Sequence, residues 1–359
     1  MNDNIIINDF FENFPMENKN NYIIKIEQIQ KTENENEFNT ILSGINKNDN
    51  NDFLYIKQIK INGNENKLKQ ILKEVLFNKI LKSQKYFSND VSIYLSKNER
   101  YLYITIKENS ISLSHFINSN FFHNLNNNEL IKWIIYQIAF GLYFLHNNNI
   151  IHHDIKPSNI LINSIGGISI NGFGSSIFKG ENSFSFSLLY SPPEFLIDNS
   201  NSDEKIDMWG LGVIMLELYS NQCPIFKNKT IKLKNEKNEH IKYLLSFFGL
   251  NENYSEESLR ELLNEDKKIY IKLEQKLLEK IGDPEAIDLI KNLLVFNPRQ
   301  RLSAEEVLKS NYLKKYNRLD SFDIQKIDFS KYKEIMIFQR EQNKIFNKKQ
   351  LLEFIKDLI

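Results

Sequence analysis

The residues best able to do chemistry crowd into one short segment, Ile150-Ile151-His152-His153-Asp154-Ile155-Lys156-Pro157-Ser158-Asn159-Ile160-Leu161. Asp154 can accept a proton, Lys156 can neutralise an anion and Asn159 can ligate a metal. That set suits the transfer of a charged group to a hydroxyl. The bland alternative is a polar loop between two short apolar strands. His152 and His153 make a poor metal pair, because adjacent residues of an extended chain point to opposite faces.

The elements around this segment change character along the chain. Tyr22 to Ile29, Phe38 to Ser43, Phe53 to Ile61, Val91 to Leu95 and Tyr101 to Ile106 are apolar or β-branched runs between polar turns, and they read as strands. One helix is predicted among them, over Lys67 to Lys82, from the spacing of Leu68, Ile71, Leu72, Val75, Leu76 and Ile80. After Ser112 the pattern becomes helical, with the strongest stripe running from Leu130 to Leu145. Further helices are predicted to start at Asp283-Pro284-Glu285, with proline in the first turn, and at Ser303-Ala304-Glu305-Glu306, a capping box. Strands first and helices after predict an α+β protein of two lobes. Asparagine clusters such as Asn46 to Asn51 and Asn124 to Asn128 mark turns, and biased composition accounts for them better than function.

Composition narrows the classes. The chain has 359 residues with 41% apolar and 26% charged, an ordinary globular balance. Lys plus Arg and Asp plus Glu each number 46, so no global basic field exists to hold nucleic acid or an anionic membrane. The single cysteine, Cys223, excludes a disulfide framework within the chain and a multi-cysteine zinc site. The stretch Leu130 to Leu145 is too short to span a bilayer, and Met1-Asn2-Asp3-Asn4 lacks the basic start of a secretory signal. These features lead us to expect a cytoplasmic protein without a membrane span.

The segment at Asp154 resembles the catalytic loop of eukaryotic protein kinases of serine/threonine type, His-Arg-Asp-x-Lys-Pro-x-Asn. Other resemblances follow in order. Leu54-Tyr55-Ile56-Lys57 is similar to the family's third-strand Val-Ala-Ile-Lys, and Glu74 stands where that lysine's ion-pair partner belongs. Ser191-Pro192-Pro193-Glu194 resembles the end of the activation segment, and Asp207-Met208-Trp209-Gly210-Leu211-Gly212 the buried central helix. Asn297-Pro298-Arg299-Gln300-Arg301 resembles the late motif whose arginine pairs with the glutamate, here Arg301 with Glu194. The resemblance implies a kinase-like domain over residues 22–313, with an N-lobe at 22–108 and a C-lobe at 109–313. A polar arm at 1–21 precedes it and an amphipathic tail at 314–359 follows. It also implies catalytic roles for Asp154, Lys156 and Asn159, and nucleotide-binding roles for Lys57 and Glu74, if the protein is active.

The departures fall where ATP and magnesium would sit. The glycine-rich loop is replaced by Gln30-Lys31-Thr32-Glu33-Asn34-Glu35-Asn36-Glu37, whose glutamates would repel a polyphosphate by ~1 kcal/mol or more. Tyr55 takes the place of a small residue on the roof of the adenine pocket; a register shift that makes Lys60 the family lysine is the alternative. Asp-Phe-Gly reads Gly172-Phe173-Gly174, so the main metal carboxylate is missing, and Asn171 is one residue out of register. His153 replaces the arginine that grips a phosphorylated activation segment, which here offers Ser183, Ser185 and Ser187. Asn78 falls where the family packs an apolar spine residue, while His152 and Phe173 keep theirs.

The favoured expectation is a pseudokinase: an inactive serine/threonine kinase fold that acts in signalling by binding protein partners, with no metal site and no cofactor. The alternative is an active, atypical serine/threonine kinase using ATP and Mg, with Asp154 as base. The tail alternates Ile335, Ile337, Phe338, Ile345, Phe346, Leu351, Leu352, Ile355 and Ile359 with charge. It reads as a docking helix or as a segment packed back on the large lobe. The arm, with Ile5 to Ile7 and Phe10-Phe11, reads either as disordered or as a clasp.

Overall fold

The structure is a computed structural model that describes residues 14, 22–31, 38–48, 53–61, 65–82, 84–88, 91–106, 110–123, 128–181, 187–197, 203–223, 240–241, 244, 281–316, 349 and 352. The chain divides into two compact units, Met1–Ser110 with Asp328–Ile359, and Ile111–Ile327.

The first unit is built on an antiparallel sheet. Its strands are β1 (Tyr22–Lys31), β2 (Phe38–Asn46), β3 (Phe53–Lys60), β4 (Val91–Leu95) and β5 (Tyr101–Ile106), in the order β1-β2-β3-β5-β4. The expected runs all form, β1 and β2 being longer than the apolar stretches alone suggested. Register is continuous through the centre: Lys57 stands opposite Ile41 on one side and Ile104 on the other. A bulge interrupts β1 between Ile26 and Gln28. Helix α1 (Glu65–Leu81) connects β3 to β4. Its Leu68, Ile71, Leu72, Val75, Leu76 and Ile80 are all buried, as the helical spacing required. Each such side chain contributes roughly 1.5–3 kcal/mol on leaving water, so this stripe outweighs the modest intrinsic preference of the helix.

The second unit is helical around a small set of short strands. Helix Asn128–Asn147 buries Ile131, Ile134, Ile135, Ile138, Leu142 and Leu145. Helix Lys205–Ser220 is buried on all sides from Ile206 to Leu218, so it forms the centre of this unit. Gly210 lets that helix approach the loop after His153: a Cβ there would lie 2.6 Å from the Ile155 carbonyl oxygen. Both predicted helix starts are present, and the second carries its predicted capping box. Asp283 accepts from the amides of Glu285 and Ala286 ahead of Pro284–Leu293. Ser303 and Glu306 exchange hydrogen bonds at the start of Ala304–Leu308. Among the described residues no helix is long and apolar enough to cross a membrane. The expected tail and polar arm lie outside the described residues, except for Phe14, Lys349 and Leu352.

Candidate active site

The loop that carries Asp154 is clamped at both ends. Before it, Ile150–Ile151 pairs with Ile177–Phe178. After it, Ile160–Asn163 pairs with Ile168–Ile170. From below, Asp207 in the first turn of the central helix receives three donors: the His152 amide at 2.9 Å, the His153 amide at 2.7 Å and His146 Nε2 at 2.9 Å. Asp207 is fully buried. Burial, the strongest single influence, pushes its carboxyl up, but the hydrogen bond and charge of His146 with the His152 amide outweigh it, so the carboxyl is held below the usual range. His146 went unnoticed in the sequence because its partner is 61 residues away.

The two histidines of the loop diverge. The His152 ring reaches the Asn171 carbonyl at 2.9 Å and packs on Phe173, ring centroids 4.9 Å apart. His153 has φ of 67° and sets its ring edge-on to Phe195 at 4.9 Å. They face different neighbours, so no shared ligand pair forms.

Asp154, Lys156, Asn159 and Ser187 meet in one network. Lys156 Nζ lies 2.8 Å from Asp154 Oδ2 and donates to Ser187 Oγ at 2.6 Å. Asn159 Nδ2 donates to the Asp154 carbonyl at 2.8 Å and to its Oδ2 at 2.9 Å. The other carboxylate oxygen, Oδ1, is buried with no hydrogen-bond partner among the described residues. Burial again pushes this carboxyl up most strongly. The Lys156 charge, hydrogen bonds from Lys156 and Ser187, and His152 together bring it below its ordinary value. Ser187 thereby ties its segment to the loop, while Ser183 and Ser185 lie outside the described residues.

Across from this network stands Gly172, in the left-handed region at φ 86° and ψ 44°. A Cβ on Gly172 would come within 2.4 Å of both Asn159 Cγ and Oδ1. The Asn159 carboxamide thus occupies the space a side chain at 172 would need, and it spends its N–H groups on Asp154. Asn171 offers no substitute: its Nδ2 donates to the Ser169 carbonyl at 3.2 Å, and the residue is buried. A hard divalent cation needs several oxygens converging on one point. One carboxylate already paired with lysine, and one amide turned onto it, do not provide that, so these residues do not fit magnesium.

In the first unit, Lys57 Nζ meets Glu74 Oε1 at 2.9 Å, joining β3 to α1. This favours Lys57, rather than Lys60, as the lysine that pairs with the helix. Tyr55 precedes it on the same face, opposite Ser43 and Ile106. Asn78 is buried and turns its amide back to the Glu74 carbonyl at 2.7 Å, so the polar group at this apolar position is satisfied within its own helix. The glutamates between β1 and β2 lie outside the described residues.

The family profile described as "Protein kinase domain" matches residues 22–313. The chain belongs to the protein kinase family. Among its relatives are Mitogen-activated protein kinase 3 of Arabidopsis thaliana, 32% identical over 225 residues, covering 60% of this chain and 57% of that protein. Serine/threonine-protein kinase KDX1 of Saccharomyces cerevisiae is 30% identical over 209 residues, covering 54% of this chain and 46% of that protein. The chain thus spans about half the length of the curated relatives it matches. The yeast relative is by name a serine/threonine-protein kinase, the type that the loop resemblance implied.

Other expected pairings of this kinase are in place. Arg301 is buried and forms a fork with Glu194, Nη1 to Oε1 at 2.7 Å and Nη2 to Oε2 at 3.0 Å. Its remaining donors reach the Val295 and Lys205 carbonyls, and its guanidinium lies over the Trp209 ring at 5.1 Å.

Proposed function

We propose that this protein is a pseudokinase, a serine/threonine kinase fold that works as a protein-binding or allosteric module rather than by phosphoryl transfer. The observation that carries this reading is the Asn159 carboxamide lying against Gly172 and donating twice to Asp154. Phosphoryl transfer needs metal ions to bridge the phosphates and offset their charge. Here one ligand position has no side chain and the other is turned inward. Tyr55 beside Lys57 and the glutamates at 33, 35 and 37 support the same reading. Lys57–Glu74 and Lys156–Ser187 then serve to hold a helix and a loop in place for partners. Thermal melting of the full chain with millimolar ATP, with and without magnesium, tests this. A ligand at 100 times its dissociation constant adds about 2.7 kcal/mol of stability. We expect no magnesium-dependent rise, and a clear one would sink the reading.

One observation favours the second reading, an active atypical kinase. Asp154 stays ionised at neutral pH and keeps Oδ1 unpartnered among the described residues, as a base awaiting a substrate hydroxyl would. Phosphate transfer from radiolabelled ATP to a generic protein substrate, abolished by Asp154→Asn, would establish it.

A further inference from the structure

The sheet of the first unit is apolar on a face that the kinase site does not use. Strand alternation sends Tyr55 and Lys57 to the α1 side and Leu54 and Ile56 to the other. Register adds to that second face: Leu42 stands opposite Ile56, and Tyr94 opposite Tyr103. An antiparallel sheet with one covered face usually turns polar residues to the other. This one presents Leu42, Leu54, Ile56, Tyr94 and Tyr103, and its two buried polar members are satisfied within the sheet, Gln58 donating to the Tyr103 hydroxyl and Thr105 to the Ser92 carbonyl.

Phe14 covers it. The residue comes from the polar arm, is fully buried, and forms one cluster with Leu42, Leu54, Ile56 and Tyr103, with Tyr94 packed against it. Its ring centroid lies 4.8 Å from that of Tyr103 at 62° and 5.3 Å from that of Tyr94 at 81°, both edge-to-face. This is the geometry aromatic quadrupoles prefer. The two tyrosines and three aliphatic side chains form a socket matched to one aromatic ring.

We propose that the outer face of this sheet is a docking surface for a polypeptide segment anchored by an aromatic side chain, and that its resident is the chain's own arm, held by Phe14. The arm joins the sheet at Tyr22, so the anchor acts at an effective concentration of ~1 mM or more. A segment of the same chemistry on another chain competes with it and is excluded until the anchor lets go. This surface stands apart from the question of phosphoryl transfer, since it faces away from Lys57.

The test uses full-length protein and a fluorescent peptide of residues 6–21. Phe14→Ala should melt about 10 °C below the parent, the usual scale for emptying a buried phenyl site. It should bind the peptide at least 100-fold more tightly than the parent does, and a peptide carrying the same Phe14→Ala change should not bind. Equal melting, or equal peptide binding by parent and variant, would overturn the proposal. Should Phe14→Ala not accumulate as folded protein, Phe14→Leu carries the test. It keeps an apolar side chain but loses the edge-to-face contacts, so it should melt below the parent and take up the wild-type peptide. A Phe14→Leu protein that melts with the parent and ignores the peptide would equally overturn it.

Discussion

Two corners of the second unit are built from the same kinds of group and end differently. At Glu194–Arg301, a buried carboxylate and guanidinium meet in a fork, and the remaining donors reach backbone carbonyls. At Asp154–Asn159–Gly172, a carboxylate keeps one buried oxygen unpartnered among the described residues, an amide has folded inward, and a side chain is missing. The first corner needs only the chain itself to be complete. The second corner, in an active kinase, is completed by a bound group. The first corner keeps both family residues, Glu194 and Arg301. The second keeps Asp154 and Asn159 but has Gly172 where the family places its main metal carboxylate.

Breaking the complete corner should cost most. Arg301→Ala or Glu194→Ala leaves a buried charge without its counterpart and should destabilise the fold by about 3–5 kcal/mol. Chemical denaturation of parent and variants measures this, and equal midpoints would show that the pair carries no stability.

Asp207 sharpens the comparison through pH. Its folded carboxyl lies below the unfolded value, so its contribution is present above ~pH 4 and is lost as pH falls through the folded value. Asp207→Asn should cost about 1.5–3 kcal/mol at pH 7, where charged hydrogen bonds are removed. The gap between parent and variant should narrow on acidification below ~pH 4. Melting curves at pH 3, 5 and 7 would reveal a gap that does not change, which would assign Asp207 a neutral role.

The smallest effect belongs to the incomplete corner. Aspartate tolerates the left-handed backbone of residue 172 better than most side chains. Gly172→Asp therefore costs mainly the displacement of Asn159 from Asp154, about 1–2 kcal/mol for two hydrogen bonds. Adding Asn159→Ala should cancel part of that loss in a double-mutant cycle. Strict additivity would mean that the two residues do not compete for space. Only the aspartate-bearing proteins should gain stability from magnesium.

Much of this was legible in the sequence, for identifiable reasons. Helix α1 could be read because Leu68 to Ile80 repeat at its period, and it differs from expectation only by starting and ending slightly earlier. The starts of Pro284–Leu293 and Ala304–Leu308 could be read because Asp283 and Ser303 act on residues beside them. The Glu194–Arg301 pair came through the family resemblance alone. Three features stayed hidden because they depend on contacts between distant segments: the inward turn of Asn159 against Gly172, the His146–Asp207 pair, and the seat of Phe14 on the sheet. Phe14 did leave a trace, as an aromatic between Asn13 and Pro15 a few residues after Phe10-Phe11, the pair that the sequence reading singled out instead.

The Lys57–Glu74 bridge has a kinetic consequence. At 2.9 Å, with the glutamate almost wholly buried, it fixes α1 on β3 inside a single unit. A partner that reads α1 meets a surface whose ordering entropy has already been spent. Association then involves no slow rearrangement, so the observed rate should rise linearly with partner concentration instead of levelling off. Variants of that surface would differ in how long the complex lasts, with little change in how fast it forms.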